Sequence, residues 1–222
     1  MMKQQCNQVQ YHVFTPLHHQ QKLETILIIA SIHGSEPAGS LACLRLLPVL
    51  FERSQTLNKR IVLIYSANPC GLKLGWRQNP YYVLQGKMEA GDMNRQYEEG
   101  GQTQINQQIL QLIRRYKPTL IVDLHEAWGY FQLQEGSMGN GIYPVGSFAS
   151  QLSLQLQRLL NQNIQNPVKQ YVVHDWQPVP EGSLRELCKQ KRWNYILIET
   201  SAEQSLQDRI QQHVDCLRHL IF

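Results

Sequence analysis

Two short stretches of the chain carry the residue types that hydrolytic chemistry uses. His33-Gly34-Ser35-Glu36 sets an imidazole and a carboxylate about one helical turn apart, so both can reach one metal ion if a third ligand arrives from elsewhere. Asp123-Leu124-His125-Glu126 offers that ligand. His33, Glu36 and His125 together supply two nitrogens and one carboxylate with a fourth position left for water, which is the donor set of hydrolytic zinc. Each stretch taken alone also reads as plain structure: a polar strand-to-helix turn with Glu36 near the helix N-terminus, and a hydrogen-bonded histidine at a strand end. Their joint presence favours the metal. His12, His18, His19, His174, His213 and His219 have no comparable placement and read as surface or packing residues.

The elements that must position these residues alternate along the chain. Apolar runs over Thr25 to Ser31, Arg60 to Ser66, Thr119 to Leu124 and Asn194 to Thr200 are rich in Ile, Leu and Val and suit strands buried on both faces. Helical spacing of apolar residues is expected over Pro37 to Phe51, Gln102 to Tyr116, Ser147 to Leu160, Ser183 to Gln190 and Glu203 to Leu220. The pattern predicts an α/β fold, with a mixed, mostly parallel sheet covered by helices. In open sheets of this kind ligands gather beyond the carboxyl ends of the strands, where both histidine motifs fall. Asn68 to Gly101 and Glu126 to Gly146 have no clear period, and loops of that length in a compact domain usually carry function. No repeat or linker marks a second domain, so residues 1–222 are expected to form one.

Composition narrows the function classes. Hydrophobic residues make up 42% and charged residues 17%, which excludes a highly charged disordered chain, and no run reaches the roughly 20 apolar residues of a membrane span. The net charge of +4 is spread along the chain rather than gathered in basic blocks, which argues against nucleic acid as a partner. The first residues are too polar for a secretory signal. Cys6, Cys43, Cys70, Cys188 and Cys216 show no close pairing, and the expectation is reduced thiols in the cytoplasm.

Read in order, the polar motifs resemble the M14 zinc carboxypeptidase family. His33 and Glu36 are followed by Asn68-Pro69-Cys70-Gly71, Arg77, Asp92-Met93-Asn94-Arg95, His125 and Glu199, matching the family's sequence of motifs across most of the chain. The resemblance implies a three-layer α/β/α fold of the zinc carboxypeptidase-like, phosphorylase/hydrolase-like kind and one zinc ion per chain. Glu199 ends the apolar run Tyr195-Ile196-Leu197-Ile198, where a partly desolvated carboxylate would have a raised pKa. By resemblance Glu199 is the catalytic base, Arg77 the oxyanion-stabilising arginine, and Asn94 with Arg95 the holder of a substrate carboxylate. Asp92 resembles the carboxylate that orients a zinc-bound histidine. Without the resemblance, Glu199, Arg77 and Arg95 read as solvated charges.

Pro180-Glu181-Gly182-Ser183 looks like the segment that shapes the family's specificity pocket, which would bring Leu184 near the pocket floor. The larger digestive-type members carry a loop tyrosine just before it, whereas this chain has Trp176-Gln177-Pro178, so Trp176 is expected as an apolar lid without a phenol. Short members that cleave murein peptides carry a turn similar to Pro180-Glu181-Gly182-Ser183, and Asp123-Leu124-His125-Glu126 further resembles the aspartoacylase and succinylglutamate desuccinylase group. The leading expectation is a metallo-carboxypeptidase or amidase acting on a small peptide or amino-acid conjugate with a free carboxylate, with no obligate protein partner. The alternatives are an N-acyl amino acid deacylase using the same centre and, from another class, a silent member that binds peptide as an interaction module.

Overall fold

Each of the four apolar runs becomes a strand. In the computed structural model, which describes residues 6–17, 23–98, 103–174 and 179–222, these are β2 (Thr25–Ala30), β3 (Arg60–Ser66), β4 (Leu120–Ala127) and β7 (Tyr195–Ser201). Three strands without a strong apolar signature complete a seven-stranded sheet: β1 (Gln10–Phe14), β5 (Gly141–Val145) and β6 (Val172–Val173). The order is β1-β3-β2-β4-β7-β5-β6. The β3, β2, β4 and β7 pairings are parallel, while β1 joins β3 and β5 joins β7 antiparallel. A central group of parallel strands explains the unbroken runs of Ile, Leu and Val, because both faces must be covered.

The covering layers follow from strand alternation. One face of β2, β3, β4 and β7 presents Ile28, Leu63, Val122 and Ile198 to α1 (Ala38–Arg53), α3 (Ser147–Asn161) and α5 (Leu206–Ile221). The other presents Leu27, Val62, Ile121 and Leu197 to α2 (Gln104–Tyr116) and α4 (Leu184–Lys191). Local chemistry sets the helix starts. Thr103 accepts a hydrogen bond from the Asn106 amide, Ser183 from that of Glu186 and Ser205 from that of Asp208, each satisfying an amide that the first helical turn leaves over.

Two expectations need correction. The stretch Glu126 to Gly146 is not irregular throughout, because β4 runs on to Ala127 and β5 occupies Gly141–Val145. Nor are all cysteines reduced: Cys6 and Cys70 form a disulfide across 64 residues of sequence. No short-range spacing announces a pair that the fold brings together from the start of the chain and the turn after β3. The bond removes the cysteine-based ground for a cytoplasmic setting. Cys43, Cys188 and Cys216 are free and buried. No helix among the described residues is long and apolar enough to cross a membrane.

Candidate metal centre

The parallel strands deliver three chemical groups to one rim. Beyond β2, Ser31 adopts a left-handed backbone (φ 54°) and the chain turns through His33 to Glu36 before α1 begins. This turn is packed backbone to backbone against the turn after β3: a Cβ on Gly34 would lie 2.0 Å from the carbonyl carbon of Gly71. Glycine at position 34 is therefore required by close approach, not by a special torsion. Asn68 ties the two turns together, its Oδ1 accepting from the Gly71 amide and its Nδ2 donating to the Ile32 carbonyl. On β4, Asp123 and His125 are two residues apart and so share the face toward α2 and α4, and Glu199 of β7 stands in register with His125.

His33, Glu36 and His125 are buried, and donor atoms from the three lie within 4.8 Å of one another. His33 Nδ1 is 2.7 Å from Glu36 Oε1, and His125 Nδ1 is 2.9 Å from Glu36 Oε2. The remaining ring nitrogens each meet a carboxylate: His33 Nε2 lies 3.2 Å from Asp92 Oδ1, and His125 Nε2 lies 3.1 Å from Asp123 Oδ1. The two Nδ1 atoms are thereby turned inward, as ligation of a common cation requires. Two imidazoles and a carboxylate, each imidazole backed by a further carboxylate, fit a borderline-soft divalent ion such as zinc.

The charge state of the centre supports the same fit. Burial alone would lower the pKa of both histidines, yet the surrounding carboxylates outweigh it and hold His33 and His125 above the ordinary imidazole value. Burial would raise Glu36, but the two imidazoles bring it well below the usual carboxylate range. The same carboxylates that favour positive charge on these imidazoles would favour a cation held between them. For Glu199 burial wins: its carboxyl is pushed up to about 7, with His125 drawing it down and the Glu36 charge adding to the rise.

A cavity of about 400 Å³ opens over this rim, lined by His33, Glu36, His125 and Glu199 together with Arg77, Asn94 and Arg95. Arg77 Nη1 donates to Glu36 Oε1 at 3.2 Å, and its Nη2 lies 3.5 Å from Asp92 Oδ2. Asn94 and Arg95 sit on a 3-10 turn (Met93–Arg95) started by Asp92, whose Oδ1 accepts from the Asn94 amide. The turn is seated on the segment before α4, where Gly182 (φ 69°) leaves no room for a Cβ against the Arg95 carbonyl.

Nine of the ten expected site residues are described, and eight meet in or beside this cavity. Leu184 does not: as the first residue of α4 it is fully buried in the core on that side of the sheet. The neighbouring Arg185 takes the expected place, buried, lining the cavity, and with its guanidinium 5.3 Å over the Tyr143 ring. Trp176 lies outside the described residues. Closeness in sequence to His125 argues against a histidine-orienting role for Asp123, yet two-residue spacing on a strand puts both on one face, where Asp123 also accepts from the Tyr195 hydroxyl; Arg185 and Arg209 carry no sequence signal beyond being arginines.

Residues 22–171 match the sequence profile of the succinylglutamate desuccinylase/aspartoacylase catalytic domain. The fold is similar to that of the cell shape determinant protein Csd4 from Helicobacter pylori, with a TM-score of 0.75 at 17% identity over 96% of this chain and 54% of Csd4. The mDAP-bound form of the same protein, described as a D,L-carboxypeptidase, superposes with a TM-score of 0.71 at 16% identity over 94% of this chain and 53% of that one. Murein-tripeptide amidase MpaA from Escherichia coli O157 gives 0.64 at 17% identity over 94% of this chain and 84% of the amidase. The chain spans about half the length of Csd4, and no curated protein matches its sequence. The structural likeness bears out the mixed, mostly parallel α/β fold of the zinc carboxypeptidase-like kind. With the profile covering well over half of the sequence, the chain belongs to the succinylglutamate desuccinylase/aspartoacylase catalytic-domain family.

Proposed function

We propose that this chain is a zinc metallohydrolase, a metallo-carboxypeptidase or amidase that cleaves an amide bond in a small peptide or amino-acid conjugate bearing a free carboxylate. The observation that carries the reading is the meeting of His33, Glu36 and His125 beside a buried Glu199 under one cavity. Residues 1–222 act as one catalytic domain in this reading, supported by a single sheet through all seven strands.

His33, Glu36 and His125 would hold one zinc ion, which when bound supplies Lewis-acid polarisation of the scissile carbonyl and an acidified water. Asp92 is hydrogen-bonded to the Nε2 of His33 and the Asp123 carboxylate stands 3.1 Å from the Nε2 of His125, so a carboxylate lies on the outer side of each ring and Nδ1 faces inward. Glu199 accepts a proton from the attacking water and passes it to the leaving amine, a task suited to a carboxyl near 7. Arg77 donates to the oxygen that gains charge as the carbonyl carbon becomes tetrahedral. Asn94 and Arg95 hold the free carboxylate and thereby set the register of the scissile bond. Arg185, buried in the cavity wall, favours an anionic side chain on the leaving amino acid.

A second reading, N-acyl amino acid deacylation by the same residues, is favoured by the family match over residues 22–171. Metal analysis and chelator-sensitive hydrolysis test both against a silent binding module. Turnover of C-terminal peptides but not of acetyl- or succinyl-amino acids supports the first reading, and the reverse pattern supports the second. A protein that neither holds nor takes up zinc removes both.

A further inference from the structure

Helix α1 begins so soon after Glu36 that whatever fixes its first turn also fixes one of the candidate metal ligands. A helix start leaves amides without partners inside the helix. Here the turn brings no cap of its own: Pro37, which precedes it, makes no side-chain hydrogen bond to the turn, and no acidic residue stands within it. The Ala38 amide instead donates to Oε1 of Glu126 at 2.6 Å, across 88 residues of sequence. The helix comes close enough for this because Gly39 lies against β4, where a Cβ on it would be 2.7 Å from Cβ of Leu124.

Glu126 follows His125 on β4. Neighbouring residues of a strand point to opposite faces, so the imidazole stands at the candidate metal centre while the Glu126 side chain points toward α1 and α5. The same residue reaches the turn a second time, its backbone amide donating to Glu36 Oε2 at 3.2 Å. That oxygen is also 2.9 Å from His125 Nδ1. The Glu126 carboxylate is held in turn by Nη1 of Arg209 on α5, and only 3% of its side chain is exposed. Other anchors of the turn come from elsewhere: Ser31 Oγ donates to the Glu36 carbonyl at 3.2 Å, and Gly34 packs on Gly71. Neither ties the turn to the strand that carries His125. Glu126 does so at two points, one of them a charge-assisted bond at the positive end of a helix.

We infer that Glu126 is a positioning residue of the metal centre, which fixes the Glu36 carboxylate against the His125 imidazole by clamping the start of α1 to β4. The inference rests on the metal-hydrolase reading above and deepens it. A ligand on a turn that drifts from its neighbour holds an ion less tightly, and the groups that hydrogen-bond to ligands govern affinity for that reason. Glu126 touches neither metal nor substrate in this role.

The test compares two double variants that differ in whether residue 126 can accept a hydrogen bond. Arg209→Met with Glu126→Gln keeps an amide oxygen for the Ala38 amide. Arg209→Met with Glu126→Met removes it at nearly the same side-chain length, and neither double variant strands a buried charge. Zinc affinity is measured by competition with a chelator, and the visible bands of the cobalt(II)-loaded protein report the geometry of the ligands. The first double variant should keep the wild-type zinc affinity and cobalt bands. The second should bind zinc about 10 to 100 times more weakly than the first, with altered bands. Glu126→Asp, which keeps the charge opposite Arg209 but falls a methylene short of Ala38, should weaken zinc as well and serves if the second double variant does not fold. Leu50→Ala, a core truncation about 18 Å further along α1 from Ala38, controls for lost stability. It should lower the melting temperature and leave zinc affinity unchanged. Equal zinc affinities for the two double variants, or an equal loss in Leu50→Ala, overturn the inference while the metal reading stands. Failure of the wild type to take up either ion removes the metal reading, and the inference with it.

Discussion

The residues at the strand ends and those on the loop after β3 are held in different ways. His33, Glu36, His125 and Glu199 are buried and stand on, or one turn beyond, parallel strands at the centre of the sheet. Arg77, Asn94 and Arg95 ride on a run of short helical turns, and the Arg77 side chain is 43% exposed. Burial gives the first group shifted pKa values and mutual charge pairing, which chemistry needs. The second group keeps solvent and reach, which suits contact with a substrate. In the proposed reading the groups that would hold the metal and move the proton lie deep, and those that would touch the substrate, Arg77 at the oxyanion included, lie nearer solvent.

That contrast can be broken most sharply at the strand ends. His125→Ala should remove both the metal, read by elemental analysis, and all activity above background, because it leaves only His33 and Glu36 of the three-residue cluster. Glu199→Gln should keep the metal and lower kcat by about 10²- to 10⁴-fold; equal loss of metal would make Glu199 a ligand instead of a base. Asp123→Asn, one step further back, should weaken metal affinity by about 10- to 100-fold with little change in fold, read by competition with a chelator. On the exposed loop, Arg95→Lys should raise KM by about tenfold and leave kcat nearly intact, since only the bidentate hold on a carboxylate is lost. A large fall in kcat there would mean that depth does not separate the two roles.

The smallest expected effect concerns pH. In the metal-free protein Glu199 has a folded pKa of about 7, above its ordinary value of 4.5. Its protonated form is favoured by folding, so its contribution to stability is full below about 4.5 and is lost as pH rises through about 7. Melting temperatures of the metal-free wild type and Glu199→Gln at pH 5 and pH 8 should therefore differ in slope, the wild type losing more on going to pH 8. Parallel slopes would mean that Glu199 is not desolvated as the fold implies.

Much of this was legible in the sequence because its causes are local. The runs from Thr25, Arg60, Thr119 and Asn194 are apolar on both faces, and only a parallel central strand asks for that. The edges were harder to read. Strand β1, Gln10–Phe14, alternates polar with apolar and pairs on one side only, and β5 contains Pro144, where β6 no longer runs beside it. Within the site, the order of motifs along the chain picked out His33, Glu36, His125 and Glu199 at strand ends and Asp92 on the loop, and the fold brings these five together. It put Leu184 at the pocket floor where Arg185 lines the cavity, because which of two adjacent residues at a helix start faces the cavity depends on how α4 is rotated on the sheet. Nor could it bring Arg209 to the cavity, since α5 is set there by packing that involves Ile210, Val214 and Leu217.

The Cys6–Cys70 bond joins the segment before β1 to the turn that buttresses Gly34. A closure spanning 64 residues narrows the unfolded ensemble, a restriction that chain statistics value at about 4 kcal/mol. Part of the molecule's resistance to melting is therefore stored in a bond that thiol reagents can open without touching any histidine. The surroundings in which the chain matures decide whether that reserve is present.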